Sequence, residues 1–286
     1  MIEKRDNIKA ILGKPFYENE SAIIYNMDCR TGLQMLKDAN IVVDSTVTSP
    51  PYNIGKEYEN TMLVNEFIEW LSEISNLIFD ITKANGSYLL NVGYLEVPDK
   101  GRAVPITYLL WDKINFYLNQ EIVWNYGAGV AAKNYLSPRN EKVLWYVKNN
   151  TDYTFNLDKI RDPDVKYPNQ KKNGKLRCNT LGKNPSDVWQ IAKVTSGENR
   201  SSEERMNHPA QFPTDLIQRI IDGFTNEGDI VLDPFMGSGT TADVCMRNNR
   251  LSLGFELRKD YCQVISDRLD LITERVYLKE LSPTLF

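Results

Sequence analysis

Six consecutive residues, Thr48-Ser49-Pro50-Pro51-Tyr52-Asn53, bring together a hydroxyl, two fixed backbone torsions and an aromatic ring. Each proline fixes φ and removes an amide donor. The run therefore presents carbonyl oxygens, the Ser49 hydroxyl and the Tyr52 ring from a rigid loop, an inventory that suits a planar ring carrying an amino group. An exocyclic amine on cytosine or adenine is a poor nucleophile, because its lone pair is delocalised into the ring. Acceptors on its two N–H bonds, here the Ser49 side chain and the Pro50 carbonyl, would hold the nitrogen tetrahedral and aim its lone pair at an electrophile. Pro51 stiffens the turn and Tyr52 can stack on the base. A base inside a duplex cannot reach such a loop, so this chemistry implies base flipping. The plainer reading is a proline turn that closes a strand, and these six residues alone leave both open.

A second run, Asp229-Ile-Val-Leu-Asp-Pro-Phe-Met-Gly-Ser-Gly-Thr-Thr-Ala242, reads as a strand, a tight glycine turn and the start of a helix. Gly237 and Gly239 permit φ > 0 and close approach to a ligand, and the helix from Thr240 points its positive end at it. Glu256 ends the next strand, where a carboxylate can accept from two ribose hydroxyls. The spacing Gly237-x-Gly239-x-x-Ala242 also fits a dinucleotide fingerprint, which leaves a nucleotide-dependent oxidoreductase as an alternative. Asp233 beside the turn would repel a pyrophosphate but suits a cationic amino-acid moiety, such as that of S-adenosylmethionine. No Gly-Lys-Ser/Thr follows, so the turn is not a P-loop.

Both runs sit at strand ends. Apolar, β-branched stretches at Ile41–Val43 with Val47, Tyr88–Val92, Ile122–Trp124 and Val143–Val147 read as buried strands. A helix carries Leu63, Phe67, Trp70, Leu71, Ile74, Leu77, Ile78 and Ile81 on one stripe, and a weaker one is expected from Val104 through Leu118. Alternation of strands and helices implies parallel pairing in an α/β sheet. A second block follows Pro213: a helix from Thr214 to Phe224, a strand at Asp229–Leu232, a helix from Thr240 and a strand at Leu251–Phe255. The two blocks are expected to complete one sheet, with ligands at the carboxyl ends of its strands.

Residues 149–207 between the blocks are rich in Asn, Lys, Asp, Pro and Ser and lack periodicity, which marks an insertion rather than sheet. Lys159, Arg161, Lys166, Lys171, Lys172, Lys175, Arg177 and Lys183 make its middle basic, on a chain whose net charge is −4. A solvated loop explains such charge, and so does phosphate binding. The 286 residues suffice for one elaborated domain. No apolar stretch is long enough for a membrane span and the first residues lack a signal-peptide core, so a cytoplasmic protein is expected. The four cysteines show no C-x-x-C spacing, and neither a metal site nor a disulfide framework is expected.

Taken together, the two runs resemble those of the prokaryotic DNA amino-methyltransferases, which act on cytosine N(4) or adenine N(6), in the permuted (beta-type) order that puts Ser-Pro-Pro-Tyr ahead of the cofactor motif. Asn26-Met-Asp-Cys-Arg-x-Gly-Leu33, His208-Pro-Ala-Gln-Phe-Pro213 and Gly254-Phe255-Glu256-x-x-x-x-Tyr261 are similar to further marks of that family, and the resemblance covers most of the chain. It implies a Rossmann-like methyltransferase fold: a mixed, mostly parallel sheet with helices on both faces and a small target-recognition insertion. It divides the single domain 1–286 into a catalytic half (22–148), a recognition insertion (149–207, containing Gly182-Lys-Asn-Pro-Ser-Asp-Val-Trp189) and a cofactor half (208–275).

By the same resemblance S-adenosylmethionine is the cofactor. Asp28 would contact its adenine, Gln211, Phe212 and Pro213 would wall it, and Glu256 would hold the ribose. Asp233, Pro234, Phe235, Gly237, Ser238, Gly239, Thr240 and Thr241 would form its turn. Asp28 as a helix cap and His208 as a structural residue stay open. Double-stranded DNA is the implied partner, with Lys171, Lys172, Lys175, Arg177 and Lys183 toward its phosphates. A restriction–modification setting, with a cognate endonuclease encoded nearby, is implied, and the choice of monomer or homodimer is open. Methylation at cytosine carbon 5 is not expected, because no cysteine follows a proline. Ser49 in the first motif position resembles the cytosine enzymes, whereas adenine enzymes more often carry Asp.

Overall fold

The computed structural model describes residues 1–53, 55, 62–127, 129, 131–194, 202 and 204–281. In chain order the principal elements are α1 (Ile2–Leu12), β1 (Tyr17–Glu18), β2 (Ala22–Asn26), α2 (Cys29–Asp38), β3 (Val43–Thr48), α3 (Val64–Ile81) and β4 (Thr82–Val92). There follow β5 (Tyr94–Val97), β6 (Gly101–Pro105), α4 (Ile106–Leu110), β7 (Tyr117–Asn125) and β8 (Asn140–Val147). Then come β9 (Lys171–Lys172), β10 (Lys175–Leu176), β11 (Val188–Gln190), α5 (Thr214–Phe224), β12 (Ile230–Asp233), α6 (Thr240–Arg247), β13 (Leu251–Glu256) and α7 (Lys259–Leu281).

Nine strands among the described residues form one sheet in the order β1-β2-β13-β12-β3-β4-β8-β7-β11. The neighbours from β2 to β4 are all parallel, while β8 runs antiparallel to its two neighbours β4 and β7. Strands β12 and β13, from the end of the chain, lie between β2 and β3 from its beginning. The two sequence blocks thus complete one sheet by interleaving, with Leu232 paired to Thr46 and Leu253 to Ile23.

Side-chain alternation along the strands sends residues to two cores. In β4, Tyr88, Leu90 and Val92 join a cluster with Ile8 of α1, Leu33 and Leu36 of α2 and the stripe of α3. Leu89 points the other way, into a cluster with Leu216, Ile220 and Phe224 of α5 and Val244 of α6. Ile265 and Leu269 of α7 pack with Ala22, Ile24 and Ala242 beside it. Both faces of the sheet are covered, which satisfies the near-continuous apolar runs of its central strands.

Three expectations need correction. The helix expected over Val104–Leu118 is only α4, five residues long. The chain before it is the β5–β6 hairpin, and from Tyr117 it enters β7, where alternate burial rather than a helical stripe places Ile122 and Trp124 inside. The Val143–Val147 strand does not pair in parallel: it runs antiparallel to both β4 and β7, and among the described residues no crossover helix separates β7 from β8. The insertion also contains sheet: Val188–Gln190 add a parallel strand beside β7, with Trp189 buried in the second core under the guanidinium of Arg219. Cys29, Cys245 and Cys262 are buried and Cys178 is half-buried. Among the described residues no helix is long and apolar enough to cross a membrane.

Candidate active site

Because β2, β13, β12, β3 and β4 run parallel, their carboxyl ends lie along one edge of the sheet. Asp28 follows β2, Glu256 ends β13, Asp233 ends β12, the Thr48–Asn53 run follows β3 and Asn91 is near the end of β4. A cavity of about 480 Å³ opens there, and Asp28, Ser49, Asn91, Asp233 and Glu256 all border it. That is within the size range of small-molecule sites.

The glycine turn is built as its spacing requires. Gly237 and Gly239 adopt φ of 55° and 77°, and Gly239 precedes the first turn of α6. The Gly237 amide donates to Oε2 of Glu256 at 2.9 Å, and the Arg258 amide donates to Oε1 at 2.8 Å. Each carboxylate oxygen retains a lone pair, so Glu256 can still accept two ligand hydroxyls. Burial pushes its carboxyl above the usual range, although the two amides partly offset that. Beneath the turn, Arg268 of α7 pairs with Asp243 at 2.8 Å and donates to Thr240 at 3.0 Å, with both ionic side chains buried. This buried pair fixes the turn against α7.

Asp233 borders the cavity but is only 2% exposed. Its Oδ1 accepts from the Thr48 hydroxyl at 2.6 Å and the Phe235 amide at 3.1 Å, and Oδ2 accepts from Thr241 at 2.7 Å. Burial pushes its carboxyl up to about 6, with these three donors pulling the other way. One lone pair is left for a cationic ligand group. Asp28 is both a cap and a wall: Oδ1 accepts the Arg30 amide of α2 at 2.8 Å while the residue lines the cavity. Burial alone would raise its carboxyl, yet hydrogen bonds and charge from Arg30 hold it below the ordinary value.

Pro234, Phe235, Ser238, Thr240 and Thr241 also face the cavity, as do Gln211 and Phe212. Gln211 braces the preceding segment, accepting from the Met206 amide and donating to the Glu204 carbonyl, both at 2.8 Å. Pro213 and Gly239 are not among the lining residues. Pro213 caps α5, and a side chain on Gly239 would lie 3.0 Å from Ile265. The His208 ring packs on Tyr261 at 4.5 Å and borders the cavity beside Gly237.

The Ser49–Tyr52 loop closes another part of the same cavity. The Ser49 hydroxyl donates to the Tyr52 oxygen at 3.0 Å, and Tyr52 donates to Oε2 of Glu141 at 3.0 Å. Gly93, at the end of β4, leaves room for the Tyr52 ring, since a Cβ there would be 3.3 Å from it. Asn53 at φ 59° clamps the loop, exchanging two hydrogen bonds with the Met62 backbone at 2.7 and 2.8 Å. The motif reading did not include Asn91, Glu141 or Lys193. Asn91 had a signal, as a polar residue inside an apolar strand. Glu141 and Lys193 had none, because Glu141 is brought to the loop only by the pairing of β8 with β4, and Lys193 only by its ion pair with Glu141.

None of the five basic residues expected to bind DNA lines the cavity. Lys171, Lys172 and Lys175 lie exposed on the β9–β10 hairpin, and Arg177 donates to Gln170 at its base. Lys183 pairs with Asp162 at 3.0 Å.

The DNA methylase family model, that of the N(6)/N(4) amino-methyltransferases, matches residues 43–267, most of the chain. The chain belongs to this family. The methyltransferase is 52% identical over 272 residues to the Type II methyltransferase M.ScaI of Streptomyces caespitosus, covering 95% of this chain and 88% of that protein. Among solved structures, the cytosine-N4-specific PvuII DNA methyltransferase superposes with a TM-score of 0.69 at 20% identity, over 94% of this chain and 95% of the other. The M1.HpyAVI complex with S-adenosylmethionine superposes with a TM-score of 0.58 at 26% identity, over 87% and 98%. The enzyme is a DNA methyltransferase with the Rossmann-like fold of S-adenosylmethionine-dependent enzymes, and S-adenosylmethionine is its cofactor. The residues present fit that cofactor: a glycine turn at a helix start, a carboxylate with spare acceptor capacity for a ribose, and a cavity of suitable volume.

Proposed function

We propose that the enzyme methylates the N(4) amino group of cytosine at a specific site in double-stranded DNA, within a restriction–modification setting, after flipping the base into the cavity. The observation that carries this reading is that Ser49 and Pro50 border the same cavity as Glu256 and Gly237. Bound there, the cofactor supplies an electrophilic methyl group on its sulfonium. Glu256 holds the ribose hydroxyls, the turn at Gly237–Thr241 holds the amino-acid end, and Asp28, with Gln211 and Phe212, walls the site. The Ser49 oxygen and the Pro50 carbonyl accept the two N–H bonds of the target amine, which pyramidalises it and directs its lone pair. The rigid proline loop keeps those acceptors from relaxing. Residues 149–207 act as the recognition insertion, with the exposed hairpin lysines on DNA phosphates.

The preference for cytosine over adenine N(6) is supported by residue type: the first motif position is a neutral serine rather than a carboxylate. In the folded chain the Ser49 proton lies on Tyr52, so the preference does not draw on a hydrogen bond from Ser49 to the base. Transfer of label from S-adenosylmethionine to duplex genomic DNA tests the activity, and its absence would sink the reading. Mass spectrometry of nucleosides from the product should then find N(4)-methylcytosine; N(6)-methyladenine would replace the target while leaving the site intact. Ser49→Ala should cut turnover about a hundredfold, the scale of losing one preorganised partner of a transition state, with cofactor affinity kept.

A further inference from the structure

Glu141 lies on β8, outside both sequence motifs, yet among the described residues the polar contacts of its carboxylate end at the catalytic loop or its surroundings. Oε2 accepts the Tyr52 hydroxyl at 3.0 Å and the Asn91 amide at 2.8 Å, and Oε1 accepts the Lys193 ammonium at 2.7 Å. Lys193 is held in turn over the Tyr126 ring, 3.7 Å from its centroid. A carboxylate only accepts, and a phenol has one proton and two lone pairs. The Tyr52 proton has two acceptors in reach, Oε2 of Glu141 at 3.0 Å and the Asn91 carbonyl at 3.3 Å, and the nearer, charged carboxylate takes it, while the two acceptor positions of Tyr52 take the Ser49 hydroxyl and the Asn91 amide. The single Ser49 proton is in this way committed to Tyr52, while its oxygen accepts no hydrogen bond among the described residues. The same carboxylate orients Asn91, whose Oδ1 is left buried without a hydrogen-bond partner among the described residues.

We propose that Glu141 is a positioning residue that fixes the direction of the chain Ser49 to Tyr52 to Glu141, so that Ser49 meets the target amine only as an acceptor. Lys193, in the insertion shortly after β11, holds the other carboxylate oxygen of Glu141 in place. This inference rests on the amine-methylating role of Ser49, but not on which base carries the amine. Replacing the carboxylate by an amide leaves a group that can donate to Tyr52 as well as accept. Ser49 then loses its fixed proton, and part of the time it offers a donor where the amine needs an acceptor.

The test is a double-mutant cycle on steady-state methyl transfer to duplex DNA, with cofactor affinity measured by calorimetry. Glu141→Gln should lower kcat roughly tenfold to a hundredfold, with the Kd for S-adenosylmethionine within about twofold of wild type. Tyr52→Phe, which removes only the hydroxyl, should do the same. The double variant should be no more than about threefold worse than the poorer single one, because both act through Ser49. A kcat within twofold of wild type for Glu141→Gln, losses that multiply in the double variant, or a parallel loss of cofactor affinity would overturn the proposal. Should Glu141→Gln fail to fold, an undiminished kcat in Tyr52→Phe overturns it equally. A wild type that transfers no methyl group overturns the amine-methylating role itself, and this inference with it.

Discussion

Thr48 donates to Asp233 at 2.6 Å across 185 positions of the chain, and Thr241 donates to the other oxygen of the same carboxylate. Asp233 thereby ties the strand that leads into the catalytic loop to the helix that follows the glycine turn. Asp233→Asn keeps the shape but brings an N–H₂ group to hydroxyls that now donate. It should weaken cofactor binding and turnover together, each by about tenfold, as expected for disturbing a buried hydrogen bond to a charged group. Calorimetry and steady-state kinetics on the same preparation check this, and loss of cofactor affinity alone would show that the tie to Thr48 is immaterial.

The same carboxylate carries a pH signature. Burial pushes it from 3.8 up to about 6, so the folded state binds this proton more tightly than the unfolded chain. Its contribution to stability is fully present below the ordinary value and is lost as pH rises through about 6. The thermal midpoint of wild type should therefore gain on that of Asp233→Asn as pH falls from 7 toward 4. A difference that is flat over that window would contradict the buried, raised state of Asp233.

Much of this site was legible before folding because its residues sit where one strand stops. Thr48–Asn53, Asp233–Thr241 and Glu256 each follow a short apolar run, and α3 and α5 announced themselves by period. The placement of β12 and β13 between β2 and β3 was not legible, since no local pattern reports which strand lies beside which. For the same reason Glu141 and Lys193 carried no signal: their partners are 89 and 52 positions away from Glu141 in the chain. Strand β11 was hidden by its length, three residues inside a polar stretch.

Glu256 has already used one lone pair on each oxygen for the amides of Gly237 and Arg258. Glu256→Gln must turn an amide donor toward one of those N–H groups and loses a ribose acceptor as well. The Kd for S-adenosylmethionine should rise about tenfold or more, the scale of a hydrogen bond to a charged group, with kcat at saturating cofactor nearly kept. In the wild type, affinity should fall as acid protonates this raised carboxyl, and the variant should lack that dependence. Calorimetry across pH separates the two.

Gly237 combines a φ of 55° with a Cβ direction that meets the His208 ring at 3.1 Å. Gly237→Ala has to bear the left-handed backbone cost of roughly 1–2 kcal/mol and displace His208 from the cavity wall. Cofactor affinity should drop about tenfold, whereas Gly174→Ala, at φ 75° with open space around it, should cost stability without changing that affinity. Equal effects of the two on calorimetric Kd would mean that the glycine turn does not touch the cofactor.

The basic residues divide by what they already hold. Lys183 is paired with Asp162 and lowers that carboxyl's pKa, whereas Lys171, Lys172 and Lys175 stand exposed on a hairpin. Each phosphate contact contributes about 0.9 to the slope of log affinity against log salt. Replacing the three hairpin lysines by glutamine should therefore flatten that slope by up to about 2.7 units, weaken binding to all duplexes alike and leave kcat unchanged. Lys183→Gln should leave the slope within error of wild type, because its charge is committed to Asp162. Fluorescence anisotropy over a salt series checks both, and a steep slope surviving the triple substitution would remove the hairpin from the DNA-binding face.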